Sequence, residues 1–211
     1  MTSSSPSFLA GRPRAAVIAR AGLLLLTLLC AACAAPSVHD AKLLVQGAPR
    51  LTRVQLAYRW VPLKEGEHTR FGNRQVPLAL TPEIGVEHFG DPLARQAQAA
   101  FAAHGVAVTA TQSVEPGARP RLIASADGGP QAPLLLITPA HGRIVNSRFS
   151  TSVVYVFNVV LVDPNTRRAL WRASIDTSAV SSDPSQPMYD DTHARQVLDA
   201  LAEQMQHDGL L

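Results

Sequence analysis

The chain has 211 residues, 46% of them apolar, which is enough for one domain of ordinary size with a real hydrophobic core. Its formal charge of +3 arises in the first segment: Arg12, Arg14 and Arg20 are three of the 19 basic residues, leaving 16 against 16 acidic ones. A neutral domain with scattered arginine lacks the basic stripe that nucleic acid requires, so no nucleic-acid partner is expected.

The first predicted element is a leader. Behind its arginines comes an apolar block from Ala21 to Leu29, then Cys30-Ala31-Ala32-Cys33, and no acidic residue precedes Asp40. A basic start, a short apolar run and small residues before a cut make an export signal. The block is shorter than the roughly 20 residues that span a bilayer as a helix. Ala31-Ala32 directly before Cys33 resembles the lipobox of Gram-negative envelope lipoproteins, with Cys30 standing where that family usually carries Leu. The resemblance implies a signal peptide over 1–32 and a lipidated Cys33, the palmitate-bearing membrane anchor of the mature chain. Two acyl signals hold a protein stably where one holds it marginally. Ala34 follows the cysteine where an aspartate would imply inner-membrane retention, so outer-membrane residence facing the periplasm is expected.

Three alternatives compete with that cut. Ordinary signal peptidase could read Ala32-Cys33-Ala34 as its A-x-A box and release a soluble periplasmic protein. A cut before Cys30 would place Leu29 where a small residue is required, and an uncleaved anchor would need a longer apolar run. Both cysteines lie in this segment, so the remaining chain has no thiol for a disulfide, a zinc ribbon or a nucleophile.

Residues 33–50 mix Pro36, Ser37, Gly47 and Pro49 with little periodicity and read as a lipid-anchored flexible tether, with a single α+β periplasmic domain over 51–211. Arg53 to Trp60 alternates strictly. Val54, Leu56, Tyr58 and Trp60 share one face, and Arg53, Gln55, Ala57 and Arg59 the other, as in a half-buried strand. Residues 61–90 carry Pro62, Gly66, Gly72, Pro77 and Pro82 and read as a long loop with a short strand at Gln75 to Leu80; loops this long are uncommon unless they bind something. Asp91-Pro92 then starts a helix with Leu93, Ala97, Ala100, Phe101 and His104 at helical spacing, closed by Gly105.

Strands are predicted at Val106 to Thr111, Arg121 to Ala126 and Pro133 to Thr138, the last two separated by Gly128-Gly129-Pro130. Thr151 to Val162 is the strongest β pattern, a β-branched and aromatic run apolar on both faces and hence central. Asp163-Pro164-Asn165-Thr166 supplies a type I turn, and Arg168 to Thr177 returns with Trp171, Ala173 and Ile175 inward and Arg172, Ser174 and Asp176 outward. A final helix, capped at Thr192 or an adjacent Asp, buries Ala194, Val197, Leu198, Leu201 and Met205 and stops at Gly209. The whole reads as α+β: a two-layer sandwich with a mostly antiparallel sheet of four to six strands and two helices on one face. That order is similar to small outer-membrane assembly lipoproteins, such as the lipopolysaccharide-assembly lipoprotein and the amino-terminal part of curli-secretion lipoproteins.

Chemistry-bearing residues are sparse. Glu65, Glu67 and His68 lie together in the long loop, as do Glu87 and His88, and would hold a metal or catalyse hydrolysis only by converging in one cleft; a solvated loop is the simpler account. Asp190, Asp191 and His193 are explained by capping and the helix dipole. No G-x-S-x-G, S-x-x-K, H-E-x-x-H or phosphate loop occurs, so neither enzyme activity, cofactor nor metal is expected. Tyr58, Trp60 and Trp171 lie on apolar strand faces and read as core. The expected function is non-catalytic, a lipoprotein presenting its domain to an envelope protein partner. The alternative is a carrier of an apolar ligand, which would need a cavity of about 300 Å³ lined by residues such as Trp60 and Phe101.

Overall fold

The computed structural model describes residues 35–61, 68–71, 74–77, 86–124, 129–146, 151–181 and 189–211. In chain order these form β1 (Ser37–Leu43), β2 (Arg53–Arg59), β3 (His68–Phe71), β4 (Arg74–Pro77), α1 (Gly90–Ala102), β5 (Ala107–Val114), β6 (Leu134–Asn146), β7 (Thr151–Val162), β8 (Ala169–Ser181) and α2 (Asp191–His207). The fold is α+β. The hairpin β7–β8 is as expected, with Val156 opposite Asp176 and Leu161 opposite Trp171. Asp163 Oδ1 accepts from the backbone N–H of Asn165 and Thr166 and closes the turn.

Around this hairpin the sheet runs β1-β8-β7-β6-β2-β5. The first three pairings are antiparallel and β2 lies parallel to both β6 and β5, so the sheet is mixed. At the far end of β6, β3 pairs with β6 in parallel and with β4 in an antiparallel ribbon. Both helices pack on one face. Leu93, Ala97 and Phe101 of α1 and Val197, Leu198, Leu201 and Met205 of α2 share a core with Val54 and Leu56 of β2, Ile137 of β6, Tyr155, Phe157, Val159 and Leu161 of β7, and Trp171 and Ile175 of β8. Gly105 and Gly209, at φ +75° and +79°, follow the two helices in the left-handed conformation that closes a helix cheaply.

Four expectations change. The segment 33–50 carries β1, an edge strand antiparallel to β8, with Val38, Ala41 and Leu43 packed against the core; the compact unit accordingly begins at Pro36. The N-cap of α1 is Phe89 without a side-chain bond, and Asp91 sits inside the first turn, where its charge still favours the dipole. Residues 121–124 form no strand. Instead they cross the second face of the sheet, and this is why β2 is buried on both faces, with Gln55 1% exposed and Ala57 wholly covered. The Gln55 amide is satisfied there: Nε2 donates to the carbonyls of Ile123 and Ala132, and Oε1 accepts from Ile123 N–H.

Candidate functional site

Cys33, Glu65 and Glu67 lie outside the described residues, and His68 opens β3 opposite Pro77. Glu87 and His88 stand in the turn before α1, at the carboxyl ends of the parallel strands. His88 Nε2 is 3.9 Å from Glu87 Oε1, but the His88 side chain is 77% exposed while that of Glu87 is 19% exposed, so they share an edge and not a cleft. Just inward, the Tyr58 hydroxyl donates to the Val86 carbonyl, and burial pushes that phenol well above its usual range. Among the described residues no three His, Cys, Asp or Glu side chains gather as a metal-holding group.

The acidic cluster before α2 is structural, as expected. Asp190 Oδ1 accepts from the backbone N–H of His193 at 3.0 Å and lies 2.9 Å from His193 Nδ1. Burial is the largest influence on this carboxyl and pushes upward, but the His193 and Thr192 interactions together hold it below the usual carboxylate range. Asp191 takes a two-pronged contact from Arg95, with Nη2 at 2.8 Å and Nε at 3.0 Å, tying α2 to α1. The aromatic candidates are core: Tyr58 and Trp171 are buried and Trp60 is half-buried. Between sheet and helices, Phe89, Tyr155, Phe157 and Tyr189 pack with ring centroids 5.1 to 6.1 Å apart.

The feature that sequence reasoning missed is on the opposite face of the sheet. β1 has a bulge between His39 and Lys42, where Asp40 adopts φ +51°. A bulge re-aims the side chains around it. The result is a groove of about 650 Å³ lined by Asp40 and Lys42 of β1, Arg172 and Ser174 of β8, and Asn158 and Val160 of β7. Lys42 and Arg172 are direct cross-strand partners, and two cations so placed repel each other. A carboxylate or phosphate group placed between them would relieve that repulsion, with Asn158 and Ser174 supplying further hydrogen bonds. Beside it, His39 Nε2 lies 3.7 Å from Asp176 Oδ2. Val154, Val156, Val160 and Val162 of β7 and Leu136 of β6 are only half-buried on this face, so the groove borders an apolar stripe. A signal was available in Thr151 to Val162: a strand apolar on both faces implies a cover for each, and only one face has helices.

No protein-family model matches the sequence, and no curated protein matches it. Solved structures do match. PelC of Paraburkholderia phytofirmans, a dodecamer, is 13% identical over 79% of this chain and 95% of that one, with a TM-score of 0.41. A DUF330 protein of Xanthomonas campestris is 12% identical over 79% and 94%, with a TM-score of 0.40. A lipoprotein of Neisseria meningitidis is 16% identical over 72% and 98%, with a TM-score of 0.32. At these values the likeness assigns this chain neither an activity nor a partner.

Proposed function

We propose that this chain is a non-catalytic envelope lipoprotein, anchored through Cys33 in the outer membrane, whose domain binds another envelope protein on the outer face of the sheet. The observation that carries the binding half is the asymmetry of the sheet. Helices cover one face, while the other offers half-exposed valines beside Lys42, Arg172, Asn158 and Ser174. An apolar centre with a charged rim is the usual composition of a protein-binding surface. The anchor half rests on the small pair Ala31-Ala32 before Cys33.

Both halves are testable in the intact protein. Cys33→Ser should abolish palmitate incorporation and leave unprocessed precursor; a protein still cut at the same place would return the chain to the soluble periplasmic class. A photo-crosslinker at Val160 should capture an envelope protein, whereas one at Glu203, exposed on α2, should not. Adducts from Glu203 alone would move the binding surface to the helices.

A further inference from the structure

Arg119 and Arg121 stand far from Arg167 in the sequence, yet the fold brings all three to one groove of about 590 Å³, lined also by Pro120, Leu122 and Gln131. No lining residue is acidic. Hydrogen bonds fix both walls. On one, the Gln112 amide of β5 clamps Arg121 twice, its Nε2 donating to the backbone carbonyl at 2.7 Å and its Oε1 accepting the N–H at 3.0 Å. Gln55 of β2 holds Ile123 in the same two-point way. On the other wall, the turn between β7 and β8 is closed by the Asp163 carbonyl, which accepts from the Arg167 N–H at 3.0 Å. Arg167 adopts φ +58°, a left-handed conformation that hairpin loops usually give to glycine or asparagine. An arginine there carries backbone strain that glycine would avoid, and such strain clusters where a side chain has a function.

All three arginines are exposed, and none forms an ion pair among the described residues. The acids nearby in the chain are placed elsewhere. Asp163 Oδ1 is taken up by the N–H groups of Asn165 and Thr166, and Glu115 is exposed without lining the groove; Asp127 lies outside the described residues. Three like charges around one groove repel each other while it is empty, and a bound anion removes that repulsion. We infer that this groove binds a phosphomonoester, whose terminal oxygens the three guanidinium groups hold. Such a group carries about −1.5 to −2 charges at neutral pH and three strong acceptor oxygens, one for each arginine. A carboxylate or a phosphodiester offers a single charge and two free oxygens, too little for this set. The planar guanidinium pairs with phosphate oxygens in two-pronged fashion, which lysine cannot do. Pro120 and Leu122 add apolar surface for the carbon skeleton that bears the phosphate.

The full chain in neutral detergent micelles is titrated with inorganic phosphate, and with chloride and acetate at the same ionic strength. Phosphate should raise the melting temperature along a saturable curve, as a ligand of the native state does, while the other two should not. Arg119→Gln, Arg121→Gln and Arg167→Gln should each weaken phosphate binding about tenfold, and Arg167→Lys, which keeps the charge but loses the fork, should weaken it as well. Arg195→Gln removes the same charge from α2, where Arg195 pairs with Asp199, and should leave the affinity unaltered. If a substituted chain fails to fold, the unsubstituted one still decides: three arginine Nε–H resonances should shift together along one binding curve. Glycerol 3-phosphate and the short-chain lipid dihexanoyl phosphatidic acid distinguish the source. Equal affinities mean a soluble phosphomonoester, and a lipid bound about tenfold more tightly, with the gain lost in Arg121→Gln, means a lipid headgroup. A response shared with chloride or acetate, shifts spread over all the arginines, or an affinity that falls as much in Arg195→Gln as in the groove variants would each overturn the inference.

Discussion

Trp171 is wholly buried on the inner face of β8, and its indole Nε1 donates to Asp208 Oδ2 at 2.6 Å behind the end of α2. One side chain thus joins the sheet to the second helix. Trp171→Ala should lower unfolding free energy by about 3 to 5 kcal/mol, the usual range for emptying a buried tryptophan site. Arg172→Ala, on the outer face, should stay within about 0.5 kcal/mol. Chemical denaturation of both variants checks the pair, and equal losses would mean the faces are misassigned. Asp208 adds a pH signature. Burial is the strongest influence on its carboxyl and pushes upward, but hydrogen bonds from Trp171, His207 and Gln204 outweigh it, so the group is held below the ordinary range. The unfolded chain then takes up its proton first, at a pKa of about 3.9. The stability from this group is complete above that value and is lost as pH falls through the lower folded-state pKa. Asp208→Asn should therefore flatten the acid limb of a stability-against-pH curve, while costing about 1 to 2 kcal/mol at neutral pH.

Among the elements, β7, β8 and α2 were legible because each sustains one period over many residues, and Ala194, Val197, Leu198, Leu201 and Met205 are all fully buried as their spacing requires. β1 was hidden by its own bulge. Its packed residues are Val38, Ala41 and Leu43, so the extra residue at Asp40 breaks the alternation after one step and leaves no run of period two to detect. Residues 121–124 misled in the opposite way. Their apolar Leu122-Ile123-Ala124 looks like a strand, yet they are held through side chains, Gln112 bonding Arg121 and the far more distant Gln55 bonding Ile123, contacts that exist only once the chain has folded. The outer groove was illegible for the same reason, since the Lys42–Arg172 opposition exists only once the register is known. Gly142 shows how closely β6 and β7 approach: a Cβ there would meet the Tyr155 ring at 2.5 to 2.9 Å, and that ring is itself buried. Gly142→Ala should cost about 1 to 3 kcal/mol through overpacking, read as a lower denaturation midpoint.

For the molecule as a whole, β1 makes the boundary of the folded unit a matter of stability. A fragment starting at Leu51 lacks the strand that covers the β8 edge and loses the burial of Val38, Ala41 and Leu43. It should be less stable than a fragment starting at Pro36 by about 2 to 4 kcal/mol from lost apolar burial alone, and its bared edge invites pairing between chains. Equal denaturation midpoints for the two fragments would show that β1 is dispensable.

The same pairing has a kinetic side. β6, β7 and β8 are neighbours in the chain and can assemble as soon as each is made, but Ser37 meets Asp176 about 140 positions later, among the most non-local contacts in the fold. A chain synthesised amino end first must therefore deliver Ala169–Ser181 before Ser37–Leu43 has anywhere to dock. Until then Ser37–Leu43 has no partner strand, and the docking of β1 is the late step that covers the β8 edge.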